Sequence, residues 1–147
     1  MNIEDRLAIL ETIANYSYRY DAQDPVGFSE LFVEDALWEA YAANAQKPEL
    51  QLSGRAGIRE WAAARLARRA GKFTSRHHQS GTVFESWTAD GAKTRTMVLV
   101  THQGTDEAAP SPTLSGVYHD VWRRTPQGWR FAHRALHHDR HGVHVQS

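Results

Sequence analysis

The sequence predicts an α+β domain, with helices gathered in its first half and an antiparallel sheet built from its second. Three observations lead there. Apolar residues recur at helical spacing over residues 3–20 and again from about Ala56 to Ala70. From Phe73 onward the period falls to two. Breaks at Thr88-Ala89-Asp90-Gly91, at 104–113 with Pro110 and Pro112, and at Pro126-Gln127-Gly128 divide that second half into four strands.

Each element has its own signal. Ile3, Leu7, Leu10 and Ala14 form one apolar row of the first helix, and Ile9, Ile13, Tyr16 and Tyr20 form another. Together they predict a broad buried face, suited to a helix laid across a sheet. Asp24-Pro25 then opens a short second helix, since aspartate caps well and proline fits the first helical position. Phe28, Leu31 and Phe32 are its expected buried face, and Val33-Glu34-Asp35 its end. Ala36 to Tyr41 reads as a short strand and residues 42–50 as a loop. In the third helix Ile58, Trp61, Ala62, Arg65 and Leu66 carry the period, and Gly71 is the expected C-cap. Its Arg59, Arg65, Arg68 and Arg69 read as a solvated face, balanced by acidic residues elsewhere.

The four strands are expected over Thr74–Trp87, Ala92–Gln103, Leu114–Arg124 and Trp129 to about His138. Met97-Val98-Leu99-Val100 is apolar on both faces, which predicts a central strand covered on both sides. A strongly bent sheet wrapped around the first helix makes a cone with an open mouth, and such a concavity is a default small-molecule site. One domain spanning 1–147 is expected, with a mobile tail over 141–147.

Composition removes several classes of function. Lys plus Arg and Asp plus Glu both total 17, so no basic surplus points to nucleic acid. There is no cysteine, which excludes disulfides, thiolate metal sites and a cysteine nucleophile. The charged N-terminus and the lack of a long apolar run lead us to expect a cytoplasmic protein that does not enter membranes. His133, His137, His138, His141 and His144 invite a metal reading. On a strand, however, His133 and His137 stand roughly 13 Å apart, too far to share one ion. No His-Glu-x-x-His helix, glycine-rich phosphate loop or Gly-x-Ser-x-Gly elbow is present.

The chemistry that remains is proton transfer. Asp21 stands where the first helix ends, at the negative end of its dipole. A histidine partner there would hold the carboxylate charged, and the carboxylate would fix that histidine's tautomer as a base. His77 and His78 are neighbours on a strand and face opposite ways, and periodicity does not choose between them. His102 ends the next strand. On the last strand Arg130 and Arg134 share a face with Ala132, Leu136 and His138, and an arginine among apolar neighbours is a candidate clamp for developing negative charge.

The order of these elements resembles the α+β cone of nuclear transport factor 2, in its SnoaL-like branch of small cyclases, dehydratases and isomerases. The carriers are Tyr20-Asp21-Ala22-Gln23-Asp24 with Phe28, Leu31, Phe32 and Asp35; Gly54-Arg55 with Ile58; Arg76-His77; and Gly116-Val117-Tyr118 through Arg123-Arg124 to Gly128-Trp129-Arg130-Phe131. The resemblance implies a strongly curved, mixed but mainly antiparallel sheet around the N-terminal helix. Tyr20-Asp21, His77 and His102 match the residues of scytalone dehydratase, helped by Val100-Thr101-His102-Gln103. Asp21, His77 and Arg134 match the dyad and arginine of lindane dehydrochlorinase and bile acid 7α-dehydratase. It is the resemblance that selects His77 over His78 and Arg134 over Arg130.

It implies a cofactor-independent lyase or isomerase acting on a small apolar or polycyclic molecule, with dehydration or a related elimination as the expected reaction. His77 would be the base, Asp21 its partner, Tyr20 and His102 the groups at the leaving oxygen, and Arg134 the clamp. Trp38, Tyr41, Trp61 and Tyr118 would be cavity walls. A polyketide-type cyclase or ketosteroid-type isomerase is the alternative, and a non-catalytic binding or assembly module of the same fold is another. Self-association as a homodimer or homotrimer is expected, through the exposed sheet face.

Overall fold

A computed structural model describes residues 1–142; the part of the expected tail beyond Gly142 lies outside the described residues. The first helix, α1 (Ile3–Asp21), begins at Asn2, whose side chain accepts from the Asp5 amide at 2.8 Å while Asp5 reaches back to the Asn2 amide. Only one of its two apolar rows is buried. Ile9, Ile13, Tyr16 and Tyr20 enter the core, whereas Ile3, Leu7 and Leu10 face outward, so the expected broad face is half as wide. Asp24 caps α2 (Pro25–Ser29) by accepting from the Gly27 amide at 2.8 Å.

Strand β1 (Phe32–Tyr41) starts earlier than its sequence suggests. Phe28, Leu31 and Phe32 are all buried, but only Phe28 is helical, and Val33-Glu34-Asp35 belong to the strand rather than to the helix end. Long-range partners take this backbone. The Leu31 carbonyl accepts from the Phe131 amide at 2.9 Å, and the Phe32 carbonyl accepts from the Arg55 Nε and Nη2 at 2.9 and 2.6 Å. Local helix propensity yields to that pairing. Part of the expected 42–50 loop and the residues after it form β2 (Leu50–Ser53), antiparallel to β1. Then come α3 (Gly54–Arg69), β3 (Phe73–Trp87), β4 (Gly91–Gly104), β5 (Ser111–Thr125) and β6 (Gly128–His138).

These six strands form one sheet in the order β2-β1-β6-β5-β4-β3, with β1 and β6 parallel and every other pair antiparallel. Its concave face packs on α1, and α3 packs beside β1 and α2. Along β4 the even positions Ala92, Thr94, Thr96, Val98 and Val100 are buried under that face. Met97 and Leu99 are instead 55% and 43% exposed on the other side, so β4 is central in the sheet but covered on one face only.

Two irregularities decide which side chains turn inward. In β3 the register shifts between Ser80 and Val83, at Gly81, whose φ of +65° suits glycine. Between β5 and β6 the pairs run from Trp122–Phe131 to Val121–His133 and skip Ala132. Strict alternation puts Arg134 on the face opposite Trp129 and Phe131. The extra residue reverses the parity, and Trp129, Phe131, Arg134 and Leu136 all enter the core. Among the described residues, no helix is long and apolar enough to cross a membrane.

Candidate active site

Three inward residues of β3, at alternate positions, face the C-terminal half of α1. Ser75 Oγ donates to Asp21 Oδ1 at 2.7 Å, the His77 amide donates to Asp21 Oδ2 at 2.9 Å, and His77 Nδ1 lies 2.7 Å from Asp21 Oδ1. Gln79, the third, ties the same strand to α1 by donating to the Ile13 carbonyl at 3.0 Å and to Ser17 Oγ at 2.7 Å. His78 points outward and its Nε2 is 3.1 Å from Thr101 Oγ1.

The electrostatics of the pair follow from these bonds. Burial works against charge on Asp21, but the hydrogen bond and charge of His77, the Ser75 hydroxyl and the His77 amide together outweigh it and hold the carboxyl below its ordinary pKa. An ionised carboxylate only accepts, so the His77 ring carries its proton on Nδ1. Nε2 is left as the basic nitrogen. The ring stands edge-on to Tyr20 and Tyr16, with centroids 5.1 and 6.3 Å away.

His77 borders two concavities. One is an open groove of about 830 Å³ between α1 and β3, which Asp21 also touches. The other is the interior of the cone, about 210 Å³, where His77 meets Tyr16, Tyr20, Trp38, Trp61, His102 and Tyr118. Both are lined by polar groups; the second is walled mainly by aromatic rings, with His77, His102, Tyr16 and Tyr20 among them, which is the form of a small-molecule site. Asp21 stands behind His77 as its orienting partner. His102 stacks on Phe73 at 4.2 Å, and Trp38 stacks on Trp61 at 5.6 Å. Burial, then the positive charges of Arg69 and Arg65, hold the His102 pKa below its ordinary value, so at neutral pH it is an uncharged donor or acceptor. Burial raises the Tyr20 hydroxyl despite the pull of Arg69 and Arg65, and Tyr20 stays protonated.

Two expected residues lie elsewhere. Tyr41 alternates with Trp38 onto the outer face of the sheet, where its hydroxyl donates to Glu39 at 3.1 Å and its ring stacks on His137. Arg134 is fully buried beneath the cavity floor, not among the residues that line it. Its Nε and Nη2 donate to Asp120 at 2.9 and 3.2 Å, and Nη2 also donates to Gln79 Oε1 at 2.7 Å. Its Cζ sits 3.6 Å from the Tyr118 ring centroid, 4.1 Å from Tyr16 and 4.4 Å from Phe131. Nη1 has no oxygen or nitrogen partner among the described residues, and the ring faces are its surroundings. Burial alone would pull this guanidinium down; Asp120, then Tyr118 and Tyr16, hold it above its ordinary pKa. Its role is therefore to fix the floor, and the clamp expected of it has no access to the cavity.

Of the lining residues that the sequence does not single out, Tyr16, Arg65 and Arg69 bear most on the chemistry. Tyr16 reads there as one more apolar position of α1, yet its oxygen accepts from Trp38 Nε1 at 3.1 Å and from the Tyr118 hydroxyl at 3.5 Å. With both of those donating to it, its own proton is available to donate, and Tyr16 borders the cavity. Arg65 and Arg69, read as solvated, line the cavity too. A signal existed: Trp61, Arg65 and Arg69 repeat every four residues beside the buried row Ile58, Ala62 and Leu66.

A family model described as a SnoaL-like domain matches residues 1–135. No curated protein matches at a significant level. Among solved structures, Rv3472 of Mycobacterium tuberculosis, a protein of unknown function solved as an Asp-to-Asn variant, is 29% identical, with a TM-score of 0.76 over 95% of this chain and 76% of that one. A candidate scytalone dehydratase of Novosphingobium aromaticivorans is 26% identical, with a TM-score of 0.76 over 99% and 92%. ActVI-ORFA of Streptomyces coelicolor shares the fold at 24% identity and a TM-score of 0.76, over 91% and 96%.

Proposed function

Because the chain belongs to the SnoaL-like domain family, we propose that it is a cofactor-independent lyase or isomerase whose reaction begins with proton abstraction by His77. The observation that carries this reading is the 2.7 Å contact between His77 Nδ1 and Asp21 beside an aromatic-walled cavity. Nε2 of His77 takes a proton from a carbon next to a carbonyl. The electron pair moves to the carbonyl oxygen, where the free hydroxyl proton of Tyr16 stabilises the enolate. In an elimination, the enolate re-forms the carbonyl and expels a β-hydroxyl, which accepts hydrogen bonds from Tyr20 and neutral His102. The proton held by His77 leaves with it as water. In an isomerisation the same proton returns to a different carbon. Asp21 keeps the imidazolium stable while it exists.

Two features narrow the reading. The cavity, about 210 Å³, lies below the roughly 300–1,000 Å³ usual for drug-sized ligands and favours a monocyclic or bicyclic substrate over a polycyclic one. All three bonds to Asp21 come from Ser75 and His77, which disfavours a ketosteroid-type mechanism with the aspartate itself as base.

The test is a screen of small cyclic β-hydroxy ketones and enolisable ketones in deuterated water, read by mass spectrometry for loss of water or uptake of deuterium. The expected outcome is turnover that His77→Gln lowers by roughly 10²–10⁴-fold with the far-UV circular dichroism unchanged. No exchange or elimination with any compound, or full activity in His77→Gln, favours the non-catalytic module instead.

A further inference from the structure

Resting on that proposed reaction, we propose that Arg65 and Arg69 form a carboxylate-binding subsite at the open end of the cavity, so that the natural substrate is a small organic acid. The two guanidiniums are four residues apart on α3 and line the same cavity as His77. They lie at its open end: both are partly exposed, whereas Tyr16 and Tyr118 on the floor are 3% and 2% exposed.

Like charges at this spacing repel and cost helix stability, so the pair is expected to have a purpose. Several other arginines of this chain are paired with carboxylates: Arg124 with Asp5, Arg123 with Asp35, Arg134 with Asp120 and Arg140 with Glu49. Among the described residues, neither Arg65 nor Arg69 has a carboxylate within salt-bridge distance. Helix-dipole stabilisation accounts for Arg68 and Arg69 near the C-terminus of α3, but not for the inward turn of Arg69 or for Arg65.

Both side chains are also held in place. Arg65 lies over the Trp61 ring at 5.3 Å, and Trp61 is stacked on Trp38. Arg69 lies over the Phe73 ring at 5.5 Å, and Phe73 is stacked on His102. Each cation is thus propped by its own aromatic stack, one from the helix side and one from the strand side. Planar guanidiniums fixed in this way suit the two oxygens of a carboxylate. Burial, the largest influence on Arg69, works against its charge, and an incoming anion would relieve that cost. The acid group at the mouth leaves the ring and its reacting carbon on the inner side, toward His77 and Tyr16.

The probes are benzoate and cyclohexanecarboxylate, each against its primary amide, titrated into the purified protein and followed by the fluorescence of Trp38 and Trp61. Each carboxylate is expected to bind at least about tenfold more tightly than its amide. Arg65→Gln and Arg69→Gln should each weaken the carboxylate roughly ten- to hundredfold and leave the amide unchanged. Arg59→Gln and Arg68→Gln, which remove the same charge outside the cavity, should leave both unchanged. His77→Gln should also keep carboxylate binding, so loss of the proposed reaction and loss of the subsite are told apart. The subsite is overturned by equal affinity for acid and amide, by undiminished carboxylate binding in the Arg65→Gln/Arg69→Gln double variant, or by no saturable binding of either acid.

Discussion

Replacing Arg134 with methionine separates two roles for its guanidinium, substrate clamp and buried scaffold. The wild-type side chain makes three charge-assisted hydrogen bonds, two to Asp120 and one to Gln79, and fills the space between the rings of Tyr16, Tyr118 and Phe131. Methionine fills much of the volume but leaves the Asp120 carboxylate sealed without its counter-charge. Removing one member of a fully buried pair costs about 3–5 kcal/mol. That is a large part of the roughly 5–15 kcal/mol by which a domain of this size is stable, and corresponds to a fall in Tm of roughly 10–20 °C. Urea denaturation and calorimetry measure it.

The deficit should also depend on pH. Burial already raises the Asp120 pKa, with Arg134 as the main opposing influence. Without Arg134 the carboxyl rises further. A carboxyl raised on folding favours the folded state below its unfolded pKa and loses that contribution as pH climbs through the folded value. The variant should therefore lie closest to wild type in acid and fall away toward neutral pH. Arg134→Met/Asp120→Leu, which removes both charges, should recover most of the loss. A single variant as stable as wild type that had nevertheless lost activity would refute the buried-scaffold role and return Arg134 to the cavity.

Other outcomes can be checked alongside it. Arg124, the Trp129 indole and the Asn2 amide hold the Asp5 pKa down at about 2, so stability gained above the ordinary carboxylate range should be lost as pH falls from about 4 toward 2, and Asp5→Asn should flatten that part of the acid-denaturation curve. Gly116→Ala puts a methyl group against the His137 carbonyl of the paired strand; because backbone must move, a loss of about 1–3 kcal/mol is expected in urea titrations. We propose that the uncovered outer face around Met97 and Leu99 is where copies of this chain associate, so Leu99→Glu should lower the mass seen by sedimentation equilibrium without unfolding the protein, and an unchanged mass would reject that face.

What could be read from the sequence followed the strength of local signals. The Asp24-Pro25 cap and the switch from helical to alternating period at Phe73 are local, and both are found where they were expected. The start of β1 was misread because a distant strand and Arg55 claim the carbonyls of Leu31 and Phe32. β2 was missed because a four-residue edge strand carries too little pattern to stand out. The location of Arg134 depends on one extra residue, Ala132, and a bulge has no reliable mark in sequence. Tyr16 was hidden by its own apolar ring. Arg65 and Arg69 read as solvated because charge on a helix usually faces water, and only the structure shows that these two, while partly exposed, also wall the cavity.

The position of β6 has a consequence for how the chain must assemble. It is the last strand of the fold, yet it lies between β1 and β5 and is parallel to β1. Until β6 is made, β1–β2 and β3–β4–β5 are separate ribbons, each with an unpaired edge. The helices carrying Asp21 and the two cavity arginines have only half a floor to pack on. Folding on the ribosome is therefore expected to wait for the final strand, and the rate-limiting closure joins residues about a hundred positions apart. Chains stalled before Gly128 would expose both edges at once, and these are the forms expected to need chaperones.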